Sequence, residues 1–314
     1  MSVYVNDVKH KEKAMKHKKV KNTLRQKIFL VSMLIVPITH FLVFWVYVNF
    51  NSILMAFQTL TPNGVEFTLK NFSKMFGELI SFDATLAIAL RNSMLTWAIQ
   101  NLILFPLSIL WAFLIYKRIC GWRIYQIIFY IPSIITGSAI AAIYIYMLQD
   151  NGPIGQLWQL LNPGEYVPSF LIDKDYAMTS VLSYIVWLGF IGNLVLLTGA
   201  MAKIPQEMIE SSIIDGCGMW REIFHFTIPL CWPTLSTMIV CSLAGLFTAS
   251  GPVLLLTGGA GDTYTISYWI YEQVKIKGNY YDPAALGLIL TITSLPIVLG
   301  ARVLMNKIYP EVEF

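Results

Sequence analysis

The feature that most constrains this chain is where its charges are missing. Six stretches carry no Asp, Glu, Lys or Arg: Ile28–Val65, Asn92–Tyr116, Ile124–Gln149, Tyr176–Ala202, Ile223–Gly261 and Pro283–Ala301. Each approaches or exceeds the roughly 20 apolar residues that a helix needs to cross a bilayer. Lipid offers no partner for unpaired backbone groups, so a spanning segment must satisfy its own hydrogen bonds. Composition agrees. Mean hydropathy is +0.61 and only 13% of residues are charged. Nine Lys or Arg and two acids fall within residues 1–27. The remaining 29 charges among 287 residues are about 10%, against about 25% in a soluble domain. The chain is therefore expected to be an all-α integral membrane protein with six transmembrane helices, at about 28–57, 87–116, 124–148, 178–202, 230–256 and 284–305. Residues 1–27 form a basic tail and 28–314 the membrane domain.

Orientation follows from the basic residues, which stay on the cytoplasmic side of the loops. With the N-terminus inside, the inner set holds 16: nine in the tail, then Lys117, Arg118, Arg123, Lys203, Arg221, Arg302 and Lys307. The outer set is Lys70, Lys74, Lys174, Lys275 and Lys277, with Arg91 a sixth at a helix start. Both termini are expected to be cytoplasmic. The first apolar stretch far exceeds the 7–15 residues of a cleaved signal and reads as a retained helix. The tail's role is orientation and attraction to anionic membrane lipid; no nucleic-acid partner is expected.

The helix interiors contain no Asp, Glu, Lys or Arg, whereas ion-coupled transporters keep such groups at depth. His40 is the only titratable candidate there besides tyrosines. Cys120, Cys217, Cys231 and Cys241 fall in inner connections or the inner half of the fifth helix, which leaves no outer disulfide. None has metal-ligand spacing with the scattered histidines, and no metal or cofactor site is expected in this chain. The Gly-rich run Thr257–Thr263 lacks the Lys of a phosphate-binding loop. A membrane enzyme would need clustered catalytic groups at one face, and the sequence offers no such set. What the helices do carry is Trp187, Asn193, Ser242, Thr248 and Ser250. Amides, hydroxyls and an aromatic face in a cavity suit an uncharged polyhydroxylated solute; helix packing is the competing role for each.

The connection between the fourth and fifth helices, 203–229, is too regular for a tether. Pro205 suits a first helical turn, Glu207 complements an N-terminal dipole, and Gly216 and Gly218 provide a stop. The pattern predicts a short amphipathic helix with Met208, Ile209 and Ile213 on one face and Glu207, Glu210 and Ser211 turned away. A turn and a second helix from about Met219 follow, and Pro229 stands at the start of the fifth membrane helix.

Glu210-Ser211-Ser212, Ile214-Asp215-Gly216, then Ile228-Pro229-Leu230 and Pro233 resemble the cytoplasmic coupling loop of permease subunits of binding-protein-dependent ABC importers. Ser211 and Ser212 replace the family's two alanines, and Ile228 its usual Leu. Further segments are similar to the carbohydrate-uptake branch and its first, maltose or glycerol-phosphate type, permease: Ile131-Pro132, Met147–Gly155, Leu255–Gly261 and Tyr268–Tyr271. The resemblance implies that Glu207, Glu210, Ser211, Ser212, Asp215, Gly216 and Arg221 couple to an ATPase. It also implies that Trp187-Leu188-Gly189 belongs to a sugar-lining helix, with Trp187, Gly189 and Ser242 the best lining positions. A polar pair expected further along the fifth helix falls instead near Leu246 and Ala249. The implied partners are a second homologous permease, two ATP-binding cassette subunits that hold ATP and Mg, and an extracytoplasmic solute-binding protein, all at a bacterial-type inner membrane. A permease for another solute class, or a self-contained channel or secondary transporter, is the alternative.

Overall fold

The computed structural model describes residues 24–62, 64–81, 84–214, 216–248 and 251–308. Most of the basic tail, Asp83, Asp215, Ala249 and Ser250 lie outside them, as do the side chains of Ser212 and Ile213. The chain divides into two units, Met1–Leu54 and Met55–Phe314. The described part of the first is a single apolar rod: Leu24–His40 passes through a π-helical stretch, Phe41–Tyr47, into Val48–Ala56. Pro37 inside this helix cannot donate its backbone hydrogen bond, and the wider turn begins four residues later.

In the second unit the long apolar helices are Thr85–Tyr116, Lys174–Met201 and Tyr281–Ile308. Two further segments reach spanning length only as bent pairs, Trp122–Pro132 with Gly137–Leu161 and Met219–Leu230 with Trp232–Ala244, the latter bent by 76°. The described residues thus hold four to six candidate apolar spans, counting Gln26–Ala56.

Three departures from the sequence expectation have local causes. The fifth helix does not run unbroken over 230–256. It stops at Ala244, passes through turns at Gly245–Thr248, and a separate helix forms over Gly251–Leu256. Gly245, Gly251 and Pro252 are weak or breaking helix residues, and the Thr248 hydroxyl takes the Gly245 carbonyl at 3.0 Å. The third helix, expected over 124–148, breaks at Ile135 and Thr136, both extended, three residues after Pro132. The protein is also not purely α: Gln58–Thr61 and Gly64–Phe67 pair as an antiparallel hairpin.

The fourth helix is the centre of the second unit and packs most extensively on the second. Near one end of the bundle, Phe113, Leu194, Leu197, Met201, Ile223 and Leu235 form one buried cluster. Near the other, Met75, Leu86, Ile266 and Leu286 form a second. At that end Lys74 reaches Asp282 at 2.5 Å, and the hydrogen bond to this carboxylate raises the Lys74 pKa. Lys174 pairs with Asp262 at 2.6 Å, while the Asn92 amide donates to the carbonyls of Asp262 and Tyr264 at 2.7 and 2.9 Å. The ion pairs among the described residues thus lie toward the bundle ends, where it costs least to place charge.

Candidate functional site

The break in the fifth helix opens a cavity of about 430 Å³ between the second, fourth and fifth helices. Non-helical backbone at membrane depth is tolerated where it lines a cavity rather than lipid. The second helix contributes Ser93, Trp97, Gln100 and Asn101, the fourth Gly189 and Asn193, and the fifth Cys241, Ser242, Gly245 and Leu246. Among the described residues, no Asp, Glu, Lys or Arg lines it.

A closed hydrogen-bond circuit fixes part of this wall. The Trp97 indole N–H donates to the Ser242 carbonyl at 3.1 Å. The Ser242 hydroxyl donates to Asn101 Oδ1 at 2.6 Å, and Asn101 Nδ2 donates to the Trp97 carbonyl at 2.8 Å. Ser93 Oγ accepts the Ile266 N–H at 3.0 Å. By contrast, Gln100 and Asn193 make no side-chain hydrogen bond among the described residues. Their amides, each a donor and an acceptor, remain available to a bound solute. Gly189 keeps the wall thin: a Cβ there would stand 3.2 Å from Leu104 Cδ1.

Of the lining positions expected from sequence, Gly189, Asn193 and Ser242 come together here. Trp187 does not. Two residues along a helix are about 200° apart around its axis, so Trp187 and Gly189 face opposite ways. Trp187 lies on an apolar recess with Trp111, Pro132 and Phe190, its ring 6.2 Å from Tyr144 and 6.3 Å from Tyr184. Thr248 is exposed and bonded to its own turn, and Ser250 lies outside the described residues. Trp97, Gln100 and Asn101 went unnoticed in the sequence. With Ser93 they form a polar stripe at i, i+4, i+7 and i+8, the spacing of one helix face.

At one end of the bundle the 203–229 connection folds as a helix Gln206–Ile214, a turn, and a second helix starting at Met219. Met208 and Ile209 lie partly buried over a small recess shared with Ile204, Tyr116 and Leu230. Glu207, Glu210, Ser211 and Arg221 are exposed, and the Ser211 hydroxyl donates to the Met208 carbonyl at 3.0 Å. Gly216 has φ +69° with nothing within 4 Å of a would-be Cβ, so conformation rather than space selects glycine there. Asp215 lies outside the described residues. A residue not singled out by sequence anchors the connection: Glu222 is buried and pairs with Lys117 at 2.6 Å. This ties the second short helix to the end of the second long one.

A bundle of apolar helices around a mainly apolar cavity that carries a few neutral amide and hydroxyl groups, with an ordered amphipathic connection at one end, is the architecture expected of a membrane permease. Residues 105–313 match the binding-protein-dependent transport system inner membrane component family, and the chain belongs to that family. It is 27% identical over 277 residues to the probable ABC transporter permease protein YurN of Bacillus subtilis, covering 84% of this chain and 92% of the relative. The sn-glycerol-3-phosphate transport system permease protein UgpA of Yersinia pseudotuberculosis is 27% identical over 259 residues, covering 80% and 83%. The fold matches a bacterial alginate ABC transporter solved in complex with an alginate pentasaccharide-bound periplasmic protein. That likeness has a TM-score of 0.79 at 21% identity and covers 94% of this chain and all of the other.

Proposed function

We propose that this permease forms half of the translocation pathway for a sugar, oligosaccharide or related polyhydroxyl solute in an ATP-driven importer. The observation that carries the reading is the cavity at the broken fifth helix, whose free groups are the neutral amides of Gln100 and Asn193. A saccharide hydroxyl both donates and accepts, and each amide offers both roles on a short span of wall. The relatives' names support a polyhydroxyl class that includes acidic members: one serves sn-glycerol-3-phosphate and a structural neighbour imports the acidic polysaccharide alginate.

In this reading the chain spans a bacterial inner membrane six times with both termini cytoplasmic, and the third and fifth spans are bent. The helix Gln206–Ile214 is the coupling helix, which docks on a partner ATPase through Glu207, Glu210, Ser211 and Arg221. Met208 and Ile209 hold its other face to the body of the permease. Two ATP-binding cassette subunits bind ATP and Mg, a second permease completes the pathway, and an extracytoplasmic solute-binding protein delivers the solute. Co-expression with the neighbouring transport genes, followed by reconstitution in vesicles, tests this. ATP-dependent uptake of a neutral oligosaccharide that fails when the ATPase is omitted is the expected result. Uptake by this chain alone without ATP would establish a self-contained channel or secondary transporter instead.

A further inference from the structure

Between its first and second apolar helices the chain builds a small module whose polarity is one-sided. In the hairpin, Leu60 pairs with Val65 and Gln58 with Phe67. Alternate residues of a strand share a face, so Leu60, Val65 and Phe67 stand together, exposed by 69, 52 and 73%. The other face carries Thr59, Thr61 and Glu66, and there the Thr61 hydroxyl donates to the Glu66 carboxylate at 3.1 Å. The following helix, Lys70–Ile80, repeats the division. Asn71 and Met75 are buried, Lys70, Lys74 and Glu78 follow one another at i, i+4 spacing, and Phe76 and Ile80, a turn apart, are exposed by 52 and 74%.

The module is held rigidly. Asn71 Nδ2 donates to the carbonyls of Ala56 and Gln58 at 3.1 and 2.8 Å. The Thr68 N–H reaches the Phe57 carbonyl at 2.8 Å, and the rings of Phe57 and Phe72 lie 5.0 Å apart. The hairpin begins two residues after Ala56, where the first apolar helix ends, and Ile80 precedes by five the start of the second at Thr85. Five residues reach at most about 18 Å, so both ends of the module are tied by short connections to the ends of two apolar helices, the level at which these helices, read as spans, would leave the hydrocarbon.

We infer that this module is an interfacial anchor, with the hairpin face of Leu60, Val65 and Phe67 and the helix face of Phe76 and Ile80 seated in the headgroup layer of the bilayer and the Lys70, Lys74 and Glu78 edge in water. A rigid apolar face fixed at that level meets lipid, and burial of such a face in the interface is what holds amphipathic elements to membranes. The inference rests on the reading of Gln26–Ala56 and Thr85–Tyr116 as spans, and nothing in it depends on the solute.

The test is nitroxide labelling of the full importer in phosphatidylethanolamine and phosphatidylglycerol vesicles, in a background with Cys120, Cys217 and Cys241 changed to Ser. Labels at Val65→Cys, Phe67→Cys and Phe76→Cys are expected to collide with oxygen several-fold more, relative to a water-soluble nickel chelate, than a label at Glu66→Cys. Nickel access at all four positions would show a face bathed in water. Exclusion of both reagents would show a face covered by protein, either the second permease or the solute-binding protein. Both results overturn the anchor. A label at Leu102→Cys, within the second span, separates the two levels: oxygen-favoured collisions there, with none at Phe67→Cys, defeat the anchor and leave the spans standing. If the labelled proteins do not assemble, Phe67→Trp in otherwise unaltered protein replaces them. Brominated lipid should then quench its added emission, and unquenched emission overturns the proposal.

Discussion

Gly216 and Glu222 secure the same short connection by different physics. Gly216 sits at φ +69° in open space, so any Cβ is penalised by backbone conformation and by nothing it touches. Gly216→Val should strain the turn by about 1–2 kcal/mol, whereas Gly216→Asn, which visits the left-handed region more readily, should cost less. Uptake driven per ATP hydrolysed is the readout. A drop for the valine variant with recovery for the asparagine variant is expected, and equal ratios for both would remove the turn from coupling. Glu222 is buried against Lys117 at 2.6 Å. Removing one partner of a buried pair leaves the other charge uncompensated, at about 3–5 kcal/mol. Lys117→Met should therefore lower the thermal midpoint of the purified complex markedly, and Lys117→Met with Glu222→Gln should restore much of it. The turn was legible in the sequence because glycine at a helix end has a backbone meaning. The ion pair was not, because its partners are 105 residues apart and only the packed bundle brings them together. The family resemblance groups Trp187 with Gly189, but positions two residues apart along a helix face opposite ways, and only Gly189 borders the cavity between the second, fourth and fifth helices.

At the scale of elements, uncharged windows locate apolar segments well but say nothing of the backbone path inside them. The first, second, fourth and sixth long helices fall close to the expected bounds because each is limited by charges or turn residues. The fifth window is as apolar as the others, yet Gly245, Gly251 and Pro252 divide it. Those residues were visible, but a hydropathy average gives glycine and proline in a membrane segment little weight, since neighbouring helices often rescue them. What rescues the break here is the second helix, through the circuit of Trp97, Asn101 and Ser242. Ser242→Ala removes the donor to Asn101 Oδ1 and should cost about 1 kcal/mol in stability, the net worth of a typical hydrogen bond. Asn193→Ala leaves no broken partner among the described residues. It should leave stability unchanged and raise the solute concentration for half-maximal uptake by about tenfold, the equivalent of one lost hydrogen bond of about 1.4 kcal/mol. Equal affinity in Asn193→Ala would exclude that amide from the pathway, while the Ser242→Ala melting curve tests the circuit separately.

Across the whole molecule, the basic residues left between the apolar segments bear on the proposed direction of the spans. The excess of basic residues in the tail and in the connections after the second, fourth and sixth long helices favours retention of those segments in the cytoplasm. Within the second unit, contacts join the connections after the second, fourth and sixth long helices: Lys117 is paired with Glu222, and the Trp232 indole N–H donates to the Met305 carbonyl at 3.1 Å. The segments around Lys74, Lys174 and Asp262 gather at the other end. Reversing the second or fifth span alone would carry Lys117 away from Glu222, and reversing the fourth or fifth alone would separate Lys174 from Asp262. A reporter active only outside the membrane, fused after Glu165, should therefore give full signal, and the same reporter fused after Lys203 should give none. Replacing Lys117, Arg118 and Arg123 with Gln should leave that pattern unchanged, because the tail and the remaining connections still outnumber the outer basic residues. Signal from the Lys203 fusion in either background would overturn the orientation, and with it the placement of the Gln206–Ile214 helix on the side where an ATPase works.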